Sequence, residues 1–263
     1  MKIIDGKLIA ADIYTKLRND IIESKISPKL GVILASNDPA SEMYVNLKIK
    51  KAGSLGIKTE LHRFENTVSA DELIERVREL NFDKEATGIL VQLPLSQWIY
   101  PDEVTKVLNS IFPNKDVDCL TSSNLGRIFQ YPLAEIILPA TVDAVLESLT
   151  FALGDLSLLA SKNIVIINNS NLIGKPLATL LSTYNATVTI ANKFTQDLKE
   201  VCLNSDIIIS ATGQTSIIDH TFIKQDAILI DITSQKFGDK VLGDFIYSDE
   251  LASKAGFITP VPG

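Results

Sequence analysis

Lys48 is the residue whose position most needs a chemical reason. From Asp38 to Gly56 the sequence predicts a helix, with Asp38 suited to the N-cap, Pro39 to the first turn and Gly56 to the stop. Projected at the α-helical angle of roughly 100° per residue, Ser41, Tyr44, Val45, Lys48, Ala52 and Leu55 share one arc. Glu42, Asn46, Lys50, Gly53 and Ser54 fall opposite, on the solvent side. An amine on an apolar stripe is costly unless it is paired or neutral. Ser41, Tyr44 and Lys48 also follow i, i+3, i+7 spacing, which stacks a hydroxyl, an aromatic ring and an amine along one line. Such a lysine either snorkels past its neighbours to water or handles protons in a cleft.

Two further segments bear on that choice. Gly88-Ile89-Leu90-Val91 predicts a buried parallel strand, and Gln92 follows at its carboxyl end, where open α/β sheets hold ligands. Lys115-Asp116-Val117-Asp118 brings acids after another short loop. Alone, the glutamine is a loop residue and the aspartate a turn former. Together they offer an amine its acceptors.

The elements that must carry these residues alternate between helical and strand periodicity, which favours βα units and mainly parallel sheets. Helices are expected over 9–24 (with Ile9, Ile13, Leu17 and Ile21 as an apolar stripe), 39–55, 69–81, 101–109, 140–150 and 174–184. Strands are expected over 29–35, 57–64, 87–91, 163–167, 186–191, 206–210 and 227–232. The stretch 110–135, with Pro113, Gly126 and Pro132, is irregular. The fold class is α/β in two lobes: an N-terminal α/β lobe over 1–138, and a C-terminal lobe over 139–263 with a Rossmann-like, doubly wound parallel sheet.

At 263 residues, 46% of them hydrophobic, the chain is long enough to bury the cores of two such lobes. A net charge of -7 argues against a nucleic-acid or anionic-membrane partner. Two cysteines, Cys119 and Cys202, and two histidines, His62 and His220, are too few and too scattered for a disulfide framework, a metal centre or a Ser-His-Asp triad. Neither a signal peptide nor a membrane-length apolar run is read, so the expected compartment is the cytoplasm.

Taken in order, Ser41-Glu42-Met43-Tyr44-Val45-Asn46-Leu47-Lys48, Gly88-Ile89-Leu90-Val91-Gln92-Leu93-Pro94-Leu95 and Lys115-Asp116-Val117-Asp118 resemble the methylenetetrahydrofolate dehydrogenase/cyclohydrolase family. Ile4-Asp5-Gly6-Lys7, Ile173-Gly174-Lys175-Pro176 and Thr259-Pro260-Val261-Pro262-Gly263 extend the resemblance over the whole chain. The resemblance implies an active site in the cleft between the lobes. It also implies oxidation of 5,10-methylenetetrahydrofolate by NADP (NAD possible), then hydrolysis of the methenyl product to 10-formyltetrahydrofolate, without a metal. By the same resemblance Lys48 is the general acid/base, Tyr44 stacks on the folate, Gln92 tunes Lys48, and Asp118 anchors the pterin. Ser41, Pro260 and Pro262 are implied to meet the substrate, and Asn168, Asn169, Ser170, Asn192 and Ser234 the cofactor. The implied partners are tetrahydrofolate substrates and a second copy of the chain, in a homodimer formed through the second lobe.

The departures from the family cluster on the cofactor side. Its usual Gly-Arg-Ser turn reads Asn168-Asn169-Ser170, so the guanidinium suited to a 2′-phosphate is missing, and Lys193 offers a point charge nearby. Where the family has Val-Gly-Ile-Asn after Asp231, this chain has Ile232-Thr233-Ser234-Gln235, and its Pro-Cys-Thr-Pro reads Pro139-Ala140-Thr141-Val142. After Gly263 the family continues with a Gly-rich turn and a helix, so the sequence is expected to lack a tail or to be a shortened variant. The main expectation is a bifunctional enzyme. The alternatives are a cyclohydrolase with weak or lost dehydrogenase activity, and a folate binder without turnover, against which the retention of Lys48 argues.

Overall fold

A computed structural model of the chain describes residues 1–130, 136–238 and 240–262. Pro132 and Gly263, named above, lie outside the described residues. The chain divides into two units, Asp12–Leu138 and a second that joins Met1–Ala11 to Pro139–Gly263. The first eleven residues, expected in the first lobe, therefore pack with the second unit. The cause is β1 (Lys2–Ile3), which pairs in parallel with a strand near the C-terminus, Lys2 N–H donating to Gly256 O at 2.8 Å and Ile4 N–H to Ile258 O at 2.8 Å. Helix α1 (Gly6–Ser24) follows and buries none of its residues, so the expected stripe is not a core face: Ile13 and Leu17 are exposed.

In the first unit, β2 (Lys29–Leu34) leads into α2 (Pro39–Ser54), β3 (Lys58–Arg63), α3 (Ala70–Phe82), β4 (Gly88–Gln92), α4 (Pro101–Asn109) and α5 (Ser122–Arg127). The strands form a parallel sheet in the order β3-β2-β4. Alternation of side chains explains its two covered faces. Val32, Leu34 and Leu90 pack with Val45 of α2, while Ile33, Ile89 and Val91 pack with Leu73, Val77 and Leu80 of α3 and Val107 and Leu108 of α4. Asp38 caps α2 as expected, its carboxylate accepting from Ala40 N–H (3.3 Å) and Ser41 N–H (2.9 Å). At the other end Gly56 takes φ +84° after the last turn.

In the second unit α6 (Ala140–Leu153) and a 3-10 turn (Leu156–Leu159) precede β5 (Asn163–Ile167), α7 (Gly174–Thr183), β6 (Thr187–Ala191), α8 (Leu198–Leu203), β7 (Ile207–Ser210) and β8 (Ile228–Asp231). A hairpin, β9 (Gln235–Phe237) and β10 (Lys240–Leu242), is followed by α9 (Asp249–Lys254) and β11 (Phe257–Ile258). Six parallel strands run in the order β1-β11-β8-β7-β5-β6. From β5 the chain goes first to β6 on one side and then to β7 on the other, which opens a crevice beyond their carboxyl ends. Among the described residues no helix is long and apolar enough to cross a membrane.

Candidate active site

Lys48, Gln92 and Asp118 come together in the first unit. Gln92 ends β4, and its Nε2 donates to Leu93 O at 2.6 Å, which turns Oε1 toward α2. There Lys48 Nζ donates to Oε1 at 3.1 Å, and Asp118 Oδ2 lies 3.9 Å from the same ammonium. The latter distance is an ion pair rather than a hydrogen bond. Burial pushes the Asp118 carboxyl up, the Lys48 ammonium pulls it back, and the Asp116 carboxylate adds to the rise.

The setting of Lys48 differs from the one expected. Its side chain is 42% exposed and Tyr44, one turn before it, is 50% exposed, so neither is buried on an apolar face. Helical projection gave the direction correctly, since Ser41, Val45, Ala52 and Leu55 of the same arc are buried. What a projection omits is the opposing surface. Opposite Lys48 stand the polar ends of Gln92 and Asp118, not the sheet's apolar side chains. The amine thus faces polar partners rather than an apolar surface. Ser41, expected at the substrate, is buried and donates its hydroxyl to Asp38 Oδ2 at 2.8 Å, so it secures the start of α2.

The run 115–118 has a different task for each residue. Lys115 Nζ donates to Leu80 O (2.9 Å) and Asp83 O (2.7 Å), capping the last carbonyls of α3. Asp116 is buried and bridges to Ile89 beside β4. A Cβ on Gly88 would come within 2.5 Å of Val117 Cγ1, so glycine is what lets this segment run so close to the strand. Only Asp118 reaches Lys48.

In the second unit, a cavity of about 560 Å³ lies at the carboxyl ends of β5, β6 and β7. Asn168, Asn169 and Asn192 line it, together with Lys193, Phe194 and Thr212. Ser170 does not; its hydroxyl donates to Asn168 Oδ1 at 2.7 Å and belongs to the turn itself. Asn168 organises that turn: Oδ1 also accepts from Ser170 N–H (2.9 Å) and Gly174 N–H (3.1 Å), and Nδ2 donates to Ala211 O at 2.7 Å. A Cβ on Gly174 would clash with the backbone oxygen of Asn168, so this close strand-to-helix turn admits only glycine. Such a cradle beyond a parallel sheet fits the phosphates and ribose of a dinucleotide.

Ser234, expected at the cofactor, lines a separate cavity of about 390 Å³ with Asp231, Thr233, Pro260 and Pro262. It therefore shares a cavity with the two prolines expected at the substrate. The reason is its place after β8, whose carboxyl end adjoins β11 rather than β5. Thr212 and Gln214, which wall the 560 Å³ cavity, were not anticipated. Their position directly after a strand of the same sheet was the available signal. Among the described residues no group of three His, Cys, Asp or Glu side chains is placed to hold a metal ion.

The tetrahydrofolate dehydrogenase/cyclohydrolase catalytic domain matches residues 4–118, and the NAD(P)-binding domain of the same proteins matches residues 139–263. The chain belongs to this family. The family's catalytic-domain match contains Lys48, Gln92 and Asp118, and its NAD(P)-binding match contains the Asn168 turn and the cavity beside it. Bifunctional protein FolD of Macrococcus caseolyticus is 38% identical over 265 residues, covering 100% of this chain and 91% of the relative. The FolD of Lactobacillus acidophilus is also 38% identical, covering 100% of this chain and 90% of the relative. Among solved structures, the FolD dehydrogenase/cyclohydrolase of Campylobacter jejuni aligns with a TM-score of 0.93 at 33% identity, over 100% of this chain and 92% of that one. The Trypanosoma brucei enzyme, solved with NADP cofactor and an inhibitor, aligns with a TM-score of 0.90 at 31% identity, over 99% and 90%.

Proposed function

We propose that the chain oxidises 5,10-methylenetetrahydrofolate to the methenyl form with NADP+ and hydrolyses that product to 10-formyltetrahydrofolate. The observation that carries this reading is the Lys48–Gln92–Asp118 arrangement within the family's catalytic domain. An ammonium has three N–H donors, and among the described residues Lys48 spends one, on Gln92. The others are available to substrate oxygens or to water. In the hydrolysis, Lys48 acts as the free amine and takes the proton of the water whose oxygen adds to the methenyl carbon. The bond from that carbon to N5 then breaks, the Lys48 ammonium so formed gives its proton to N5, and the added hydroxyl loses its own to water as it becomes the formyl oxygen. Asp118 offers acceptors to the amino and ring N–H groups of the pterin, and Tyr44 offers a face for stacking.

For the oxidation, a bound NADP+ would supply the hydride acceptor for the methylene carbon. Asn168, Asn169, Asn192 and Thr212 would hold the dinucleotide in the 560 Å³ cavity. Lys193 is the one charged residue among those lining it, which favours a 2′-phosphate over a bare ribose hydroxyl. A cyclohydrolase with weak dehydrogenase activity is the second reading, and the absence of any cation in the Asn168-Asn169-Ser170 turn favours it. The absorbance of methenyltetrahydrofolate, followed with and without NADP or NAD, tests both half-reactions. Hydrolysis with cofactor-dependent oxidation supports the bifunctional reading, hydrolysis alone supports the second, and loss of both defeats the two together. A homodimer through the second unit belongs to the same proposal. Its support is β6, an edge strand that leaves Ile190 exposed.

A further inference from the structure

Asp116 is absorbed neither by the chemistry above nor by solvent. It is 1% exposed, and among the described residues its carboxylate forms no ion pair. Its carboxylate is instead satisfied by three donors: Leu120 N–H at 3.0 Å, Thr121 N–H at 2.9 Å and Asn124 Nδ2 at 2.9 Å. Two of these lie just beyond Asp118, so the carboxylate closes a short loop with Asp118 inside it. Asn124 extends the tie by donating to Pro113 O at 2.8 Å, and Thr121 caps α5 through Asn124 N–H. Within the loop, Cys119 is fully buried at φ +55°, a left-handed conformation that is strained for a non-glycine residue. Such strain persists where the surrounding bonds over-determine the backbone.

We propose that Asp116 is a positioning residue for Asp118: it closes the loop that presents Asp118 to Lys48 and supplies the negative field in which that pair works. This rests on the functional reading above. The charged groups facing Asp118 are Lys48, from α2, and Asp116, from its own segment; β4 contributes the neutral Gln92, and Arg127 of α5 acts on the neighbouring Cys119. Burial chiefly, and Asp116 with it, makes Asp118 easier to protonate, against Lys48. Removing the Asp116 charge therefore leaves Asp118 ionised to lower pH.

The test is methenyltetrahydrofolate hydrolysis from pH 5 to 9 in Asp116→Asn and Asn124→Ala, with Lys48→Met as control. Asp116→Asn is expected to move the acid limb of kcat/KM to lower pH and to raise KM. Asn124→Ala keeps the charge but removes one of the three donors, so KM should rise by about tenfold with the acid limb in place. A merely structural role would weaken both variants alike and leave the limb unmoved in Asp116→Asn. That result overturns the proposal, as does wild-type KM in folded Asn124→Ala. If Asp116→Asn does not fold, Asn124→Ala alone decides. Full hydrolysis by Lys48→Met defeats the functional reading itself; loss there, with wild-type behaviour in the other two, defeats this inference alone.

Discussion

Replacing Asn168 with alanine severs the turn that walls the dinucleotide cavity. The side chain makes four hydrogen bonds, accepting from Ser170 N–H (2.9 Å), Ser170 Oγ (2.7 Å) and Gly174 N–H (3.1 Å) and donating to Ala211 O (2.7 Å). Each contributes about 1 kcal/mol net, and because the side chain is half-buried, water replaces part of the loss, which leaves about 2–4 kcal/mol. For a unit of this size that lowers the melting temperature by roughly 10 °C. The same bonds tie the turn after β5 to the segment after β7, so the cavity they bound loses its shape. A rise in the dissociation constant for NADP of about tenfold, or 1.4 kcal/mol, is expected. Differential scanning calorimetry and isothermal titration read the two effects, with Asn171→Ala, which removes an exposed neighbour that does not line the cavity, as the control. A melting temperature and an NADP affinity both unchanged in Asn168→Ala would refute the reasoning.

Two other outcomes follow from the second unit. Lys193→Ala should weaken NADP binding by about three- to tenfold at low salt and leave NAD binding as it is, since an exposed cation acts through a screened charge; equal losses for both dinucleotides would place its role elsewhere. Asp231 is pushed up to about 6, by burial first, against the N–H of Phe245 and with the Asp244 carboxylate adding to the rise. A carboxyl raised in the fold contributes its stability below its unfolded value, about 4, and loses it as pH rises through about 6. The urea midpoint of the wild type relative to Asp231→Asn should therefore fall between pH 4 and 6 and be level above about 7. A difference that does not vary with pH would exclude this titration.

Long elements were legible because each has a period and a punctuation. Asp38-Pro39 and Gly56 bracket α2, and the β-branched run Ile164-Val165-Ile166-Ile167 admits nothing but a buried strand. Shorter pieces were not. β1 and β11 are two residues each, too short for any alternation, and their pairing across the length of the chain depends on tertiary contact. In the site, residue types and order were enough to gather Lys48, Gln92 and Asp118. Burial was not readable, since exposure depends on what faces a helix and not on its own angle. That is why Lys48 and Tyr44 are more open, and Ser41 more occupied, than the projection suggests. That Ser234 lines the cavity of Pro260 and Pro262 rather than the one beside the Asn168 turn has a related reason: nothing local says that β8 adjoins β11 rather than β5.

The most direct measurement is the rate of methenyltetrahydrofolate hydrolysis by Lys48→Met. The side chain is 42% exposed and makes one hydrogen bond, to Gln92, among the described residues, so the substitution should leave the melting temperature close to that of the wild type. The account predicts a fall in kcat of about 10²–10⁴, the contribution of a positioned acid/base. Hydrolysis at the wild-type rate by the folded variant would contradict it.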